Sequence, residues 1–343
     1  MPRGRATTRR PARLQEALVL HKYILSLLGC NDLEALSRDL KDPALEGVDD
    51  EGTSNIYYAL KGHLYVGCYV TEKELYDYDQ NIVRHTREIN ERRAEKIQWK
   101  YYQYLALLFT EIYLDRYFSD RKALLEDINT FLHDDFNMRT ETWHGMPDFT
   151  DDDLNKLAFW CATGSGKTLM MHINIKQYQY YAEKHHAKKL NRILILTPNE
   201  GLSAQHLQEL NDSNFSAMLF SKHGRGGFMT GTSIEVIDIN KLADTDGDKT
   251  VAVESFEGNN LVLVDEGHKG SGGEVWKGYR NTLTQEGFSF EYSATFGQTI
   301  AAQSGASRDA LLKEYGKATL FDYSYRYFYN DGYGKDYRIM NMA

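Results

Sequence analysis

The chain has 343 residues, 42% of them hydrophobic and 26% charged, which is enough for two modest domains with real cores and excludes a fibrous or wholly disordered class. A formal net charge of −9 excludes a protein that coats nucleic acid by bulk electrostatics, while leaving room for a local basic groove. The longest apolar runs, "LVLV" at 261–264 and "ILIL" at 193–196, are strand-sized and far below the roughly 18 residues of a bilayer span. Cys30, Cys68 and Cys161 form no metal-type pair, so a cytoplasmic, reducing setting with no membrane partner is expected.

In chain order, "MPRGRATTRRPAR" carries five arginines and no acid and reads as a basic flexible arm over 1–15. Residues 16–150 have helical periodicity with few breakers, notably in "TEKELYDYDQNIVRHTREINERRAEKIQWKYYQYLALLFTEIYLDRYF", and predict an α-rich N-terminal domain. Its stripe of Tyr101, Tyr102, Tyr104, Phe109, Tyr113 and Tyr117 is either a base-stacking platform or a buried face; helical spacing favours the buried face. The polar stretch 133–153, with Gly145 and Pro147, marks a boundary.

Beyond it the texture changes. Short β-rich runs at 157–160, 192–198, 233–239, 261–266 and 288–295 alternate with helical stretches, which predicts an α/β domain, a parallel sheet flanked by helices. This domain is assigned to 151–316, and 317–343 to a linker or the start of another unit.

The first strand runs into "ATGSGKT". Gly164 and Gly166 allow positive φ and close backbone approach to an anion, and a helix opening near Lys167 adds free N–H groups and a favourable dipole. Thr163, Gly164, Ser165, Gly166, Lys167 and Thr168 are therefore the expected nucleotide cradle, with Lys167 on the phosphates and the Thr168 hydroxyl on Mg²⁺. Cys161 stands where the strict pattern has glycine, but the GKT end carries the anion and metal contacts. Ninety-eight residues after Lys167, "LVLV" delivers "DEGH" at a strand's carboxyl end, where ligands sit in open α/β sheets. Asp265 is expected to hold the metal and Glu266 to polarise the attacking water. Further on, "FEYSATF" puts Ser293 and Thr295 at another strand end.

"ATGSGKT", "DEGH" and "SAT", in this order and spacing, resemble motifs I, II and III of superfamily 2 helicases of the DEAD/DEAH type. The texture of "LNKLAFWCATGSGKTLMMH" and "ILILTPNEGLSAQHLQEL" is similar to the branch of type III restriction enzyme Res subunits. The resemblance covers roughly 154–300 and implies a RecA-like P-loop NTPase lobe that uses ATP and Mg²⁺ as helicase or translocase, in a restriction or phage-defence setting. Lys167, Asp265 and Glu266 would then be catalytic, Thr168 and Asp265 metal ligands, and His268, Ser293 and Thr295 coupling residues. Thr197, Pro198, Asn199, Gly201 and Gln205 fall where motif Ia meets nucleic acid, and "GTSIEVIDINKL" where motif Ib is expected. Lys222, His223 and Arg225 in "SKHGRGGF" read as a flexible loop or a second backbone contact.

The resemblance also implies partners: nucleic acid, with DNA preferred, and a second RecA-like lobe in cis or in trans, with a methyltransferase or nuclease subunit beyond. Only 48 residues follow Thr295, too few for that second lobe, so weak ATPase activity is expected of this chain alone. The alternative is a nucleotide-gated binding module without translocation. An adenine-reading glutamine is not evident in "DFTDDDLNKLAFW".

Overall fold

The computed structural model describes residues 12–64, 68–139, 145–221, 233–247, 250–266 and 274–334. Helices come first: α1 (Val19–Leu27), α2 (Leu33–Ser37), α3 (Asn55–Lys61), α4 (Glu72–Asn90), α5 (Tyr101–Ser119), α6 (Arg121–Phe131) and the single turn α7 (Asn137–Arg139). A reciprocal cap starts α4, where the Thr71 hydroxyl accepts from the Glu74 amide and the Glu74 carboxylate accepts from the Thr71 amide. Apolar and aromatic residues surround α5 on every side, the composition of a helix buried all round. Its aromatic stripe, Tyr101 to Tyr117, lies in the core, not on a surface.

The rest of the chain builds β1 (Lys156–Cys161), α8 (Lys167–Lys184), β2 (Arg192–Thr197), α9 (Glu200–Asp212), β3 (Ala217–Leu219), β4 (Ile234–Asp238), β5 (Leu242–Ala243), β6 (Val251–Ala252), β7 (Asn260–Asp265), α10 (Glu274–Leu283), β8 (Phe288–Ser293), α11 (Phe296–Ala302), α12 (Gly305–Ala318), β9 (Thr319–Tyr323) and α13 (Tyr325–Asn330). Seven strands form one parallel sheet in the order β3-β4-β2-β7-β8-β1-β9, and β5 and β6 pair separately. The five runs read as strands appear as β1, β2, β4, β7 and β8, with ends moved by one or two residues.

Period-two alternation divides the sheet's side chains between two cores. Ile193, Ile195, Leu261, Leu263, Phe288 and Phe290 join a large core with residues of α1, α4, α5 and α8. Leu194, Leu196, Val262 and Val264 point the other way, onto Phe256 and Leu283. The N-terminal helices thus share their core with the sheet. Buried His21 of α1 donates from Nδ1 to the Leu320 carbonyl of β9 at 3.0 Å, and the Tyr113 hydroxyl of α5 donates to the Leu154 carbonyl at 2.7 Å. The sheet also runs past residue 316 into the segment read as a linker: β9 pairs with β1 as the seventh strand, all five of its residues buried.

Candidate nucleotide site

The buried strand β1 ends at Cys161 and the chain turns back through Thr163–Gly166 before α8 begins at Lys167. Gly164 (φ +82°) and Gly166 (φ +89°) take left-handed conformations that an L side chain rarely adopts, and a Cβ on Gly166 would run into the Gln103 carboxamide. Cys161 stays outside that left-handed region and is fully buried, so glycine is not needed there. Burial pushes its thiol up to about 12, which keeps it protonated and inert.

Lys167 is 9% exposed, and its Nζ donates to the Cys161 carbonyl at 3.3 Å and the Ala162 carbonyl at 3.4 Å. Among the described residues no carboxylate lies within ion-pair distance of it. A buried cation held by carbonyls without a direct ion pair leaves room for an anion at the loop to neutralise it. The Ser165 hydroxyl is likewise buried in the loop with no hydrogen-bond partner among the described residues. Thr163 and Gly164 are exposed at the rim, and Thr168 is half-buried in the first turn of α8.

Two strand spacings away, roughly 10 Å, β7 ends at Asp265, with β8 between it and β1. Asp265 Oδ2 accepts from His206 Nε2 at 3.0 Å and Oδ1 accepts from the Glu266 amide at 3.0 Å. Burial alone would raise this carboxyl; His206, Lys167 and the Glu266 amide outweigh it and leave the pKa lowered. Glu266 itself is left-handed (φ +56°), an uncommon backbone state for a non-glycine residue that concentrates at functional sites. Thr168 and Asp265 offer a hydroxyl and a carboxylate, hard oxygen ligands of the kind Mg²⁺ takes, and with the Lys167 cation they fit an ATP–Mg²⁺ pair.

Between these two arms, β8 delivers Ser293, whose Oγ accepts from the Thr295 amide at 3.0 Å. Thr295 opens α11, and its Oγ1 is buried without a hydrogen-bond partner among the described residues. The turn is held from β1, where Trp160 Nε1 donates to the Ala294 carbonyl at 3.1 Å.

At the far side of the sheet, Asn199, Gly201 and Gln205 are exposed at the head of α9 and Pro198 is half-exposed. Thr197 is buried, with its hydroxyl 2.6 Å from Ser203 Oγ. The sheet therefore brings Lys167, Thr168, Asp265, Glu266, Ser293 and Thr295 to one edge, at the carboxyl ends of its strands. His268, and with it Lys222, His223 and Arg225, lie outside the described residues.

Two site residues escape the sequence reading. Gln103, at the start of α5, donates from Nε2 to the Ser165 carbonyl at 2.9 Å and accepts from the Lys100 amide at 3.0 Å. Its signal was an amide among "YYQYLALLF", a helix start otherwise aromatic and aliphatic. His206 follows Gln205 but turns inward to Asp265, and a histidine in an amphipathic helix gives no hint of that partner.

A parallel sheet with a phosphate loop after one strand and an acidic pair after a strand two places away defines a P-loop NTPase lobe of the RecA-like kind. The model of the family described as "Type III restriction enzyme, res subunit" matches residues 73–298, about two thirds of the sequence. The chain belongs to that family, within the superfamily 2 helicases. Among solved structures it is similar to the Sulfolobus solfataricus SWI2/SNF2 ATPase core in complex with dsDNA, at 12% identity and a TM-score of 0.34, covering 49% of this chain and 40% of that one. A search of curated proteins returns no match. No helix among the described residues is long and apolar enough to cross a membrane.

Proposed function

We propose that this chain binds ATP with Mg²⁺ and hydrolyses it as the first motor lobe of a nucleic-acid helicase or translocase, acting on DNA. One observation carries the reading. A buried Lys167 with no carboxylate partner among the described residues sits in a loop bent by two left-handed glycines, at the head of α8 and on the same sheet edge as Asp265.

In this reading Lys167 leaves its loop carbonyls for the β- and γ-phosphates, and the loop and α8 amides wrap the phosphate chain. Mg²⁺, held through Thr168 and Asp265, supplies charge neutralisation on the phosphates. Asp265 stays ionised because its pKa is lowered. Glu266 orients the water, and Ser293 and Thr295, lying between the two arms, answer to what happens at the phosphates. The exposed head of α9, with Asn199, Gly201 and Gln205, offers amide and backbone groups to a strand's phosphates.

Hydrolysis completes only against a second RecA-like lobe, which supplies an arginine worth about 10³- to 10⁵-fold in rate in related NTPases. Slow turnover that rises with DNA is the expected behaviour. Lys167→Ala and Glu266→Gln both abolish it, and turnover surviving either change would sink the reading.

A further inference from the structure

The Asp265 carboxylate is fixed at two points. Among the described residues, Oδ1 takes the Glu266 amide and Oδ2 takes His206 Nε2, each at 3.0 Å, which leaves the remaining lone pairs for a cation. The first contact belongs to the strand end, while the second comes from α9. His206 is 2% exposed, and its other ring nitrogen, Nδ1, is buried with no hydrogen-bond partner among the described residues. Among the described residues its polar tie is therefore to Asp265. Buried His172 of α8 turns its Nδ1 to Ser213, and among the described residues no hydrogen bond joins its ring to that of His206.

Helix α9 is held at both ends. Its head is exposed, capped by Asn199 Oδ1 accepting from the Leu202 amide, and the Thr197–Ser203 hydroxyl pair pins it to the end of β2. Its tail is clamped from the N-terminal helical region. Arg93 donates to the Ser213 hydroxyl at 2.7 Å and to the Glu209 carboxylate at 2.8 Å. Arg93 fills the acceptor side of Ser213, which leaves that hydroxyl's proton for His172 Nδ1 at 2.8 Å. With both ends held, α9 carries its side chains as one rigid piece. Gln205 and His206 are consecutive, so the residue beside the exposed rim and the residue on Asp265 move together.

We propose that His206 is a positioning residue, setting the Asp265 carboxylate for Mg²⁺ and transmitting strand contact at the head of α9 to the metal. The inference rests on the nucleotide-site reading above. It assigns within one lobe a mechanical path from strand to metal, with the α9 backbone as lever and the His206–Asp265 hydrogen bond as contact point.

The test uses the full chain as wild type, His206→Ala, His206→Gln and Lys167→Ala. ATP affinity is measured with and without Mg²⁺, and Mn²⁺ binding by electron paramagnetic resonance, each with and without a single-stranded oligothymidylate. His206→Ala is expected to keep its metal-free ATP affinity and to lose about 10- to 100-fold of the metal-dependent gain, as loss of an outer-shell partner does. The oligonucleotide then no longer shifts Mn²⁺ affinity. His206→Gln, which can present an Nε2 amide from the same helical position, is expected to recover part of both. Wild-type behaviour in His206→Ala, or equal loss in the Ala and Gln variants, overturns the positioning role. In wild type, Mn²⁺ affinity indifferent to the oligonucleotide overturns the transmission. If Lys167→Ala binds ATP like wild type, the nucleotide-site reading itself has failed, a result separable from the others.

Discussion

Gln103 Nε2 donates to the Ser165 carbonyl at 2.9 Å, so the first turn of α5 braces the loop between β1 and α8 from outside the sheet. The same side chain accepts from the Lys100 amide and lies where a Cβ on Gly166 would have to go. The loop is shaped as much by this helix as by its own glycines.

Removing that brace should loosen the loop without unfolding it. A net hydrogen bond contributes about 1 kcal/mol, so Gln103→Ala is expected to weaken ATP binding about fivefold. Gly166→Ala should do more, because it adds left-handed strain to a clash with Gln103. Calorimetric titration with ATP–Mg²⁺ checks both, and an unchanged affinity in Gln103→Ala would show that the brace is idle.

Acid should loosen the seam between α1 and β9. Burial holds the His21 imidazole down at about 4, from an ordinary 6.5. The unfolded chain therefore takes up the proton first as pH falls. This group's contribution is full above 6.5 and lost as pH falls through about 4, roughly 3 kcal/mol in all at 1.36 kcal/mol per unit. Urea unfolding between pH 4 and 7 should show a shallower acid limb in His21→Gln than in wild type; identical slopes would contradict the assignment.

Glu111 runs the other way. It is fully buried in α5, where Asn81, Gln177 and Tyr181 donate to it, and burial raises its carboxyl to about 7. The folded state now binds the proton more tightly than the unfolded chain. Stability from this group is greatest below 4.5 and declines as pH rises to about 7. Glu111→Gln should flatten that decline, read from the slope of stability against pH and not from its absolute value.

Across the sheet's other face, Arg280 of α10 meets Glu291 of β8 through both carboxylate oxygens at 2.7 Å, with both residues buried. Lys156 joins the same carboxylate at 2.9 Å. Breaking such a pair from one side leaves a charge stranded in the core, at a cost of roughly 3–5 kcal/mol. Arg280→Met should lower the urea midpoint accordingly, and a loss below about 1 kcal/mol would mean that Lys156 alone balances Glu291.

What the sequence discloses follows from how locally each feature is encoded. The strands "LVLV" and "ILIL" are legible because parallel strands buried on both faces are continuously apolar, and the turn between β1 and α8 because its glycines lie close together in sequence. Strand β9 is harder to see. "TLFDY" carries Asp322 in a buried position, and it is recognisable only once β1 is there to pair with it. Gln103 and His206 lie 62 and 59 residues from the groups they touch. Nothing in their own neighbourhoods specifies those partners, and tertiary packing alone brings them to the loop and to Asp265.

The central claim is that the loop between β1 and α8 holds ATP with Mg²⁺. Equilibrium binding of a fluorescent ATP analogue to wild type and Lys167→Ala, at equal Mg²⁺, tests it most directly. Saturable, Mg²⁺-dependent binding by wild type that falls at least tenfold in Lys167→Ala is the predicted result; equal binding by both proteins, or none by wild type, would contradict it.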